Sequence, residues 1–145
     1  MKNPIIAFAI LGLAGCAGKP VSMGSTVPVG YDAYACAMRE LARSEFTIQN
    51  TDRESGFIQA SRQTSGGFSA AFGETEWDQI TVMIFEDAGA QSLRVTASKR
   101  QKQDAIPNYT TGGVYVAASD QEGKPSDEGL ATAELIVASC KPMSS

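Results

Sequence analysis

The chain has 145 residues, of which 43% are apolar, and a formal net charge of −4. This length and composition suffice for one domain with a buried core. Because the protein is itself negatively charged, it is a poor candidate for binding nucleic acid or other anionic partners through charge.

Residues 1–15 have the features of a secretion signal. Lys2 supplies a positive charge, and the apolar run over residues 5–13 is too short to span a bilayer, which takes about 20 residues. The next residues, Leu13-Ala14-Gly15-Cys16, resemble the lipobox of bacterial lipoproteins. The resemblance implies cleavage before Cys16 and acylation of its thiol and new amino terminus. The alternative is an ordinary signal peptide with an incidental cysteine.

Lipid on Cys16 would attach the protein to a membrane. In the lipoproteins that this motif resembles, an aspartate after the cysteine often marks retention at the inner membrane. Ala17 occupies that position here. The sequence therefore predicts a lipid-anchored protein of the outer membrane that faces the periplasm.

Residues 16–30 are predicted to be the lipidated cysteine and a flexible tether. Glycine and proline recur there without apolar periodicity, and such a segment has an end-to-end distance of about 20 Å. The alternative is an arm laid on the domain, which Val27 and Val29 would support. Residues 31–145 are predicted to form a single domain.

Two helices are predicted, one at each end of this domain. The first covers residues 31–45 with Asp32 as its N-cap, and the second covers residues 126–140 with Ser126 as its N-cap. The apolar stripes are Tyr34, Ala37, Met38, Leu41 and Ala42 on the first helix, and Leu130, Ala133, Val137 and Cys140 on the second.

Four segments between the helices alternate apolar and polar residues, as half-buried strands do: residues 46–50, 57–63, 77–86 and 92–99. Turn-forming residues separate them, which favours hairpins. The sequence thus predicts an α+β fold, a four-stranded antiparallel sheet with both helices on one face. The inward row would be Phe46, Ile48, Ile58, Ala60, Ile80, Val82, Ile84, Leu93, Val95 and Ala97.

The junction of the first helix and the first hairpin carries a second resemblance. The pattern Phe46-x-Ile48, then Asp52, then Gly56-x-Ile58-x-Ala60-x-Arg62, resembles small α+β periplasmic lipoprotein domains of the BamC-like type. Many such domains have Leu-Gly before the phenylalanine, where this chain has Ser44-Glu45. The resemblance implies a fold and an accessory role in the envelope, and it brings no catalytic residues.

Cys36 and Cys140 remain once Cys16 is assigned to lipid. In an oxidising compartment an even pair favours a disulfide. Cys36 lies off the predicted helix stripe, so the pairing needs the second helix to lie against that flank. The alternatives are two buried thiols or half of a metal site, for which the chain offers no histidine and no closely spaced cysteine pair.

The sequence gives little support to enzymatic chemistry. The absence of histidine excludes Ser/His/Asp and Cys/His arrangements. Glu74, Glu76 and Asp78 alternate along a strand start and are predicted to form a solvated face rather than a glycosidase pair. The sequence therefore predicts a non-enzymatic protein without a cofactor.

Aromatic residues in loops are the candidate partner-binding residues, because aromatics are favoured in protein contacts. They are Phe68, Phe72, Trp77, Tyr109 and Tyr115. The alternative, for Trp77 and one phenylalanine, is that they cap the open end of the core. The predicted function is an envelope accessory or scaffold protein acting through protein or cell-wall contacts. The alternative is a small-molecule or peptidoglycan-fragment binder, with its ligand between the open sheet face and the long loops.

Overall fold

The computed structural model describes residues 18–66, 71–108, 110, 113–116 and 118–141. Cys16 and the signal-like segment lie outside these residues. The elements in chain order are β1 (Val21–Val27), α1 (Ala33–Arg43), β2 (Thr47–Asp52), β3 (Phe57–Gln63), β4 (Glu74–Asp87), β5 (Ala90–Gln103), β6 (Ile106–Asn108), β7 (Gly113–Val116), β8 (Ser119–Gly123) and α2 (Asp127–Ser139).

The main sheet is antiparallel and has the strand order β1-β5-β4-β3-β2. Strand β8 also pairs with β5, beyond the part of β5 that β1 covers, so the sheet has six strands. The predicted α+β class and antiparallel sheet are confirmed, whereas the predicted count of four strands is wrong. The short strands β6 and β7 pair with each other and form a separate two-stranded sheet.

The two strands that the sequence did not reveal lie along one edge of β5. β1 pairs with residues 91–97 of β5, and β8 pairs with residues 99–103. Their own sequences are rich in serine, glycine and charged or amide residues, so they carry weak strand patterns. The prediction of a flexible tether is therefore wrong for residues 21–27. Val27 is fully buried, in line with the alternative of an ordered arm, whereas Val29 is 56% exposed.

The core lies between one face of the sheet and the two helices. The predicted inward row is confirmed, since its members are buried except Ile48, which is partly buried. Strand β2 begins at Thr47, so Phe46 packs into the core from the turn that precedes the strand. Both helices lie on the same face of the sheet, and the opposite face carries the exposed side chains of Met83 and Phe85.

Helix α1 is rotated from its predicted orientation by about one residue position. Its buried residues are Ala33, Cys36, Ala37, Glu40 and Leu41, which follow the helical i, i+3, i+4 spacing. Tyr34 and Met38 are only partly buried and Ala42 is exposed. Cys36 therefore faces inward, and the structure joins it to Cys140 in a disulfide with 5.6 Å between the Cα atoms. The rotation removes the geometric obstacle to this bond.

Helix α2 covers the sheet beside α1, over β5, β1 and β4. Ser126 is its N-cap and accepts a hydrogen bond from the Gly129 N–H at 3.1 Å. Among the described residues, no helix has the length and apolar character needed to cross a bilayer.

Candidate functional site

The open face of the sheet carries an apolar patch, defined here as Phe57, Met83, Phe85 and Arg94. Met83 pairs with Phe57 on one side and with Arg94 on the other, and Phe85 follows two residues along β4. Met83 is 45% exposed and Phe85 is 41% exposed. The Arg94 guanidinium lies over the Phe85 ring, 5.8 Å from its centroid. Aromatic, methionine and arginine side chains are enriched at protein interfaces.

The other half of the open face forms a groove across β2, β3 and β4, called here the amide groove. It encloses about 390 Å³. Its lining residues are Gln49, Gln59, Ser61, Gln63, Thr75, Trp77 and Gln79. They alternate with core residues along each strand, so the pleat that buries Ile58 and Ile80 also aligns these polar side chains on the open face.

Two of the four amides in the groove are held by hydrogen bonds. Gln49 donates to the Ser61 hydroxyl at 3.0 Å, and Gln63 donates to the Ser65 carbonyl at 3.0 Å. The side-chain amides of Gln59 and Gln79 make no hydrogen bond to the rest of the described chain. They are therefore available to a ligand, with both their donor and their acceptor atoms.

On the inner face, the far end of the sheet holds a polar cluster instead of apolar side chains. Asp78 is fully buried and accepts hydrogen bonds from the backbone N–H and the hydroxyl of Ser126, the former at 2.9 Å. A side chain at position 129 would approach the Asp78 carboxylate within 3.0 Å, so Gly129 permits this close contact. The carboxylate fastens the start of α2 to β4.

Arg62 lies beside this buried carboxylate. Its guanidinium is 3.7 Å from Asp78 and 2.7 Å from Glu128, and it lies over the ring of Phe46 at 5.0 Å. Arg62 thus contacts two carboxylates and an aromatic ring of the protein itself. We therefore interpret the cluster as structural.

The three carboxylates predicted to form a solvated face are on the core side of the sheet. Glu74, Glu76 and Asp78 have the same parity as Ile80, so they continue the inward row. Glu76 pairs with Lys99 at 2.6 Å, and Glu74 accepts a hydrogen bond from Gln101. The prediction failed because β4 begins earlier than expected, at Glu74. The alternation of inward and outward residues therefore extends back through these carboxylates and turns them toward the core.

At the opposite end of the domain, a cavity of about 490 Å³ lies at the start of α1. Asp32 caps the helix by accepting from the Ala35 N–H at 2.9 Å and pairs with Arg53 at 2.7 Å. These hydrogen bonds, the backbone one foremost, lower the pKa of Asp32. Arg53 also lies over the Tyr34 ring. Asp32 and Arg53 therefore neutralise each other, while Glu54 and Glu86 also line the cavity.

The predicted partner-binding residues have mixed outcomes. Trp77 lines the amide groove and is half-buried, and Phe72 is 55% exposed. Phe68 and Tyr109 lie outside the described residues, and Tyr115 is described only as part of the backbone of β7. The structure does not bring Phe72 into the groove. Met83 and Phe85 were not among the predicted partner-binding residues, although their alternation with Val82 and Ile84 already placed them on the open face.

The residues that the structure describes include no group of three or more histidine, cysteine, aspartate or glutamate side chains that could hold a metal ion. Neither a scan with protein-family models nor a search of curated proteins gives a match to this chain.

Proposed function

We propose that this protein is a non-enzymatic lipoprotein of the outer membrane, facing the periplasm, which serves as an accessory or scaffold by binding an envelope protein. The observation that carries the proposal is the apolar patch on the open sheet face. Met83 and Phe85 stay substantially exposed because both helices pack on the other face of the sheet. A cluster of methionine, phenylalanine and arginine left open to water is typical of a surface that a partner covers.

The position of β1 supports a domain held close to the membrane. Residues 17–20 alone separate Cys16 from Val21, and this stretch spans at most about 18 Å. Lipid on Cys16 would therefore hold the β1 edge near the bilayer surface. The opposite edge of the sheet, β2, would point away from it, and the open face between the two edges would be reachable from the periplasm.

Site-specific photo-crosslinking in intact cells tests the protein contact. A photoreactive amino acid in place of Met83 should give a defined crosslinked species that mass spectrometry identifies as an envelope protein. The matched control is Leu135, which is 43% exposed on α2 and lies away from the open face. The proposal would be contradicted if the Met83 and Leu135 positions gave the same crosslinked protein, or if the Met83 position gave no crosslink.

The membrane anchor has a separate test. Mass spectrometry of the mature protein from cells should show a chain that begins at an acylated Cys16. A mature chain with another amino terminus and no lipid would remove the basis for the outer-membrane assignment, while leaving the crosslinking result intact.

A further inference from the structure

The amide groove has a composition that suits one chemical class of ligand. We propose that it binds a neutral glycan that carries N-acetyl groups, such as the glycan strand of a bacterial cell wall. The choice of a cell-wall glycan rests on the proposed envelope location. The preference for a neutral sugar rests on the groove itself, whose size of about 390 Å³ falls within the range of roughly 300–1,000 Å³ that is usual for small-ligand sites. The N-acetyl groups follow from the proposed envelope location.

The aromatic side chain in the groove supplies an apolar surface for a sugar ring. Trp77 is half-buried on β4 and lies opposite Gln63 of β3. The face of an indole ring carries negative potential, which attracts the slightly positive C–H groups on the flat side of a pyranose ring. Trp77 is also the single tryptophan of the chain, so its fluorescence reports on this site alone.

The polar lining matches the hydrogen-bonding groups of such a glycan. Each glutamine amide both donates and accepts, and so do the hydroxyl and acetamido groups of an N-acetylated sugar. Ser61 lies opposite Gln79 in the neighbouring strand. Cross-strand neighbours are about 5 Å apart and alternate residues along a strand about 7 Å apart, so the groove presents a regular array of such groups. Gln59 and Gln79 are the two amides left open to a ligand.

The charge of the groove excludes other ligand classes. None of the residues that line it carries a formal charge. The nearest cross-strand cation is Arg100, opposite Trp77, and it pairs with Asp120 at 2.9 Å. Because Arg100 is already paired with Asp120 and no lining residue is charged, burying a phosphate, carboxylate or ammonium group in the groove is disfavoured. A neutral polar ligand avoids this penalty.

The groove and the apolar patch are separate halves of the open face. Along β4, Trp77 and Gln79 belong to the groove, Thr81 lies between, and Met83 and Phe85 belong to the patch. A protein partner and a glycan therefore bind different side chains.

Fluorescence titration of the full-length protein tests the inference. The protein is purified in a detergent without a sugar headgroup and titrated with the linear tetramer of β-1,4-linked N-acetylglucosamine. We expect a saturable shift of the Trp77 emission. Gln59→Ala and Gln79→Ala should each weaken binding about five- to tenfold, the loss expected for one neutral hydrogen bond. Gln121→Ala, an exposed glutamine on β8 outside the groove, should leave binding unchanged.

The glucose tetramer with the same β-1,4 linkage is the control ligand, because it lacks the N-acetyl groups. An unchanged Trp77 emission at about 10 mM N-acetylglucosamine tetramer, far above the dissociation constant of a functional site, would overturn the inference. So would equal binding of both tetramers, or wild-type affinity in both groove variants. A failed Met83 crosslink would overturn the protein contact and not this site, since neither titration nor groove variants involve Met83.

Discussion

Asp78 and Ser126 join the sheet to the start of helix α2. The buried Asp78 carboxylate accepts from both the N–H and the hydroxyl of Ser126, while the Ser126 hydroxyl oxygen accepts from the Gly129 N–H. The N-cap of α2 is thus itself held by a charged group from β4. A carboxylate at a helix amino terminus is also favoured by the helix dipole.

Replacing this carboxylate should destabilise the domain strongly. Asp78→Ala removes charge-assisted hydrogen bonds and leaves partly buried donors of Ser126 unpaired, so we expect a loss of about 2–4 kcal/mol in the free energy of unfolding. Glu76→Ala is the matched control on the same face of β4. Its ion pair with Lys99 is partly exposed, so its loss should cost less than about 1 kcal/mol. Urea unfolding of the two variants checks this, and equal losses would mean that Asp78 does not hold the helix.

The Cys36–Cys140 disulfide should contribute to stability mainly through the unfolded chain. The two residues are 104 positions apart, so the bond restricts a long loop. The double variant Cys36→Ala/Cys140→Ala should lose about 2–5 kcal/mol while its circular dichroism stays that of the native fold. Reduction of the wild-type protein should give the same unfolding midpoint as the variant. A wild-type midpoint that does not respond to reductant would contradict the bond.

Alternation along the strands made the central hairpins of the fold predictable. Each of these strands carries apolar residues spaced by two, such as Ile58 and Ala60 on β3 and Ile80 and Val82 on β4, so one face had to be buried. The same parity placed Met83 and Phe85 on the open face. Trp77 was predicted only as a loop aromatic or a cap over the core, so its place in the groove with the glutamines was not foreseen.

The remaining features depend on contacts between distant segments. Strands β1 and β8 are set by backbone pairing with β5, which leaves little trace in their own side chains. The rotation of α1 depends on Cys36 and Glu40, which lie off the predicted apolar stripe but pack inward. The groove itself needs three strands in register, and a single strand gives no sign of it.

Gly56 ends the turn between β2 and β3 and lies against Ile84 of β4. It has a positive φ of 68°, and its carbonyl accepts from the Ile84 N–H at 2.9 Å. A Cβ at this position would lie 2.0 Å from the Ile84 carbonyl oxygen. Gly56→Ala should therefore cost about 3 kcal/mol, from backbone strain and overpacking together. Gly89→Ala is the control, because Gly89 also has a positive φ but no atom nearby, and it should cost about 1–2 kcal/mol. Equal costs in thermal unfolding would show that the contact with Ile84 is unimportant.

The lowered pKa of Asp32 predicts a defined pH dependence. Hydrogen bonds from the Ala35 N–H and from Arg53 favour the ionised carboxylate in the folded state. Its stabilisation is therefore present above the unfolded-state pKa of about 3.9 and is lost as the pH falls through the lower folded-state value. Asp32→Asn keeps an N-cap acceptor and removes the charge. Its stability deficit should be constant from pH 7 to 5 and shrink below about pH 4. Urea unfolding at several pH values measures this, and a deficit independent of pH would contradict it.

The chain leaves helix α1 through a residue whose backbone conformation suits glycine. Glu45 has a φ of 62° and follows the C-cap Ser44. Its N–H donates to the Ala42 carbonyl at 3.3 Å, and the Phe46 N–H donates to the Leu41 carbonyl at 3.0 Å. This pair of bonds is the Schellman motif, in which glycine is preferred after the C-cap.

Glu45→Gly should therefore stabilise the protein, because glycine adopts positive φ without steric cost. The relief of strain exceeds the added flexibility of the unfolded chain, and we expect a gain of about 0.5–1 kcal/mol. Ala131→Gly, at an exposed position inside α2, is the matched control and should instead cost about 1 kcal/mol. Opposite shifts of the thermal midpoint in the two variants are the expected result. A loss of stability in Glu45→Gly would mean that the glutamate side chain makes a stabilising contact that outweighs its backbone strain.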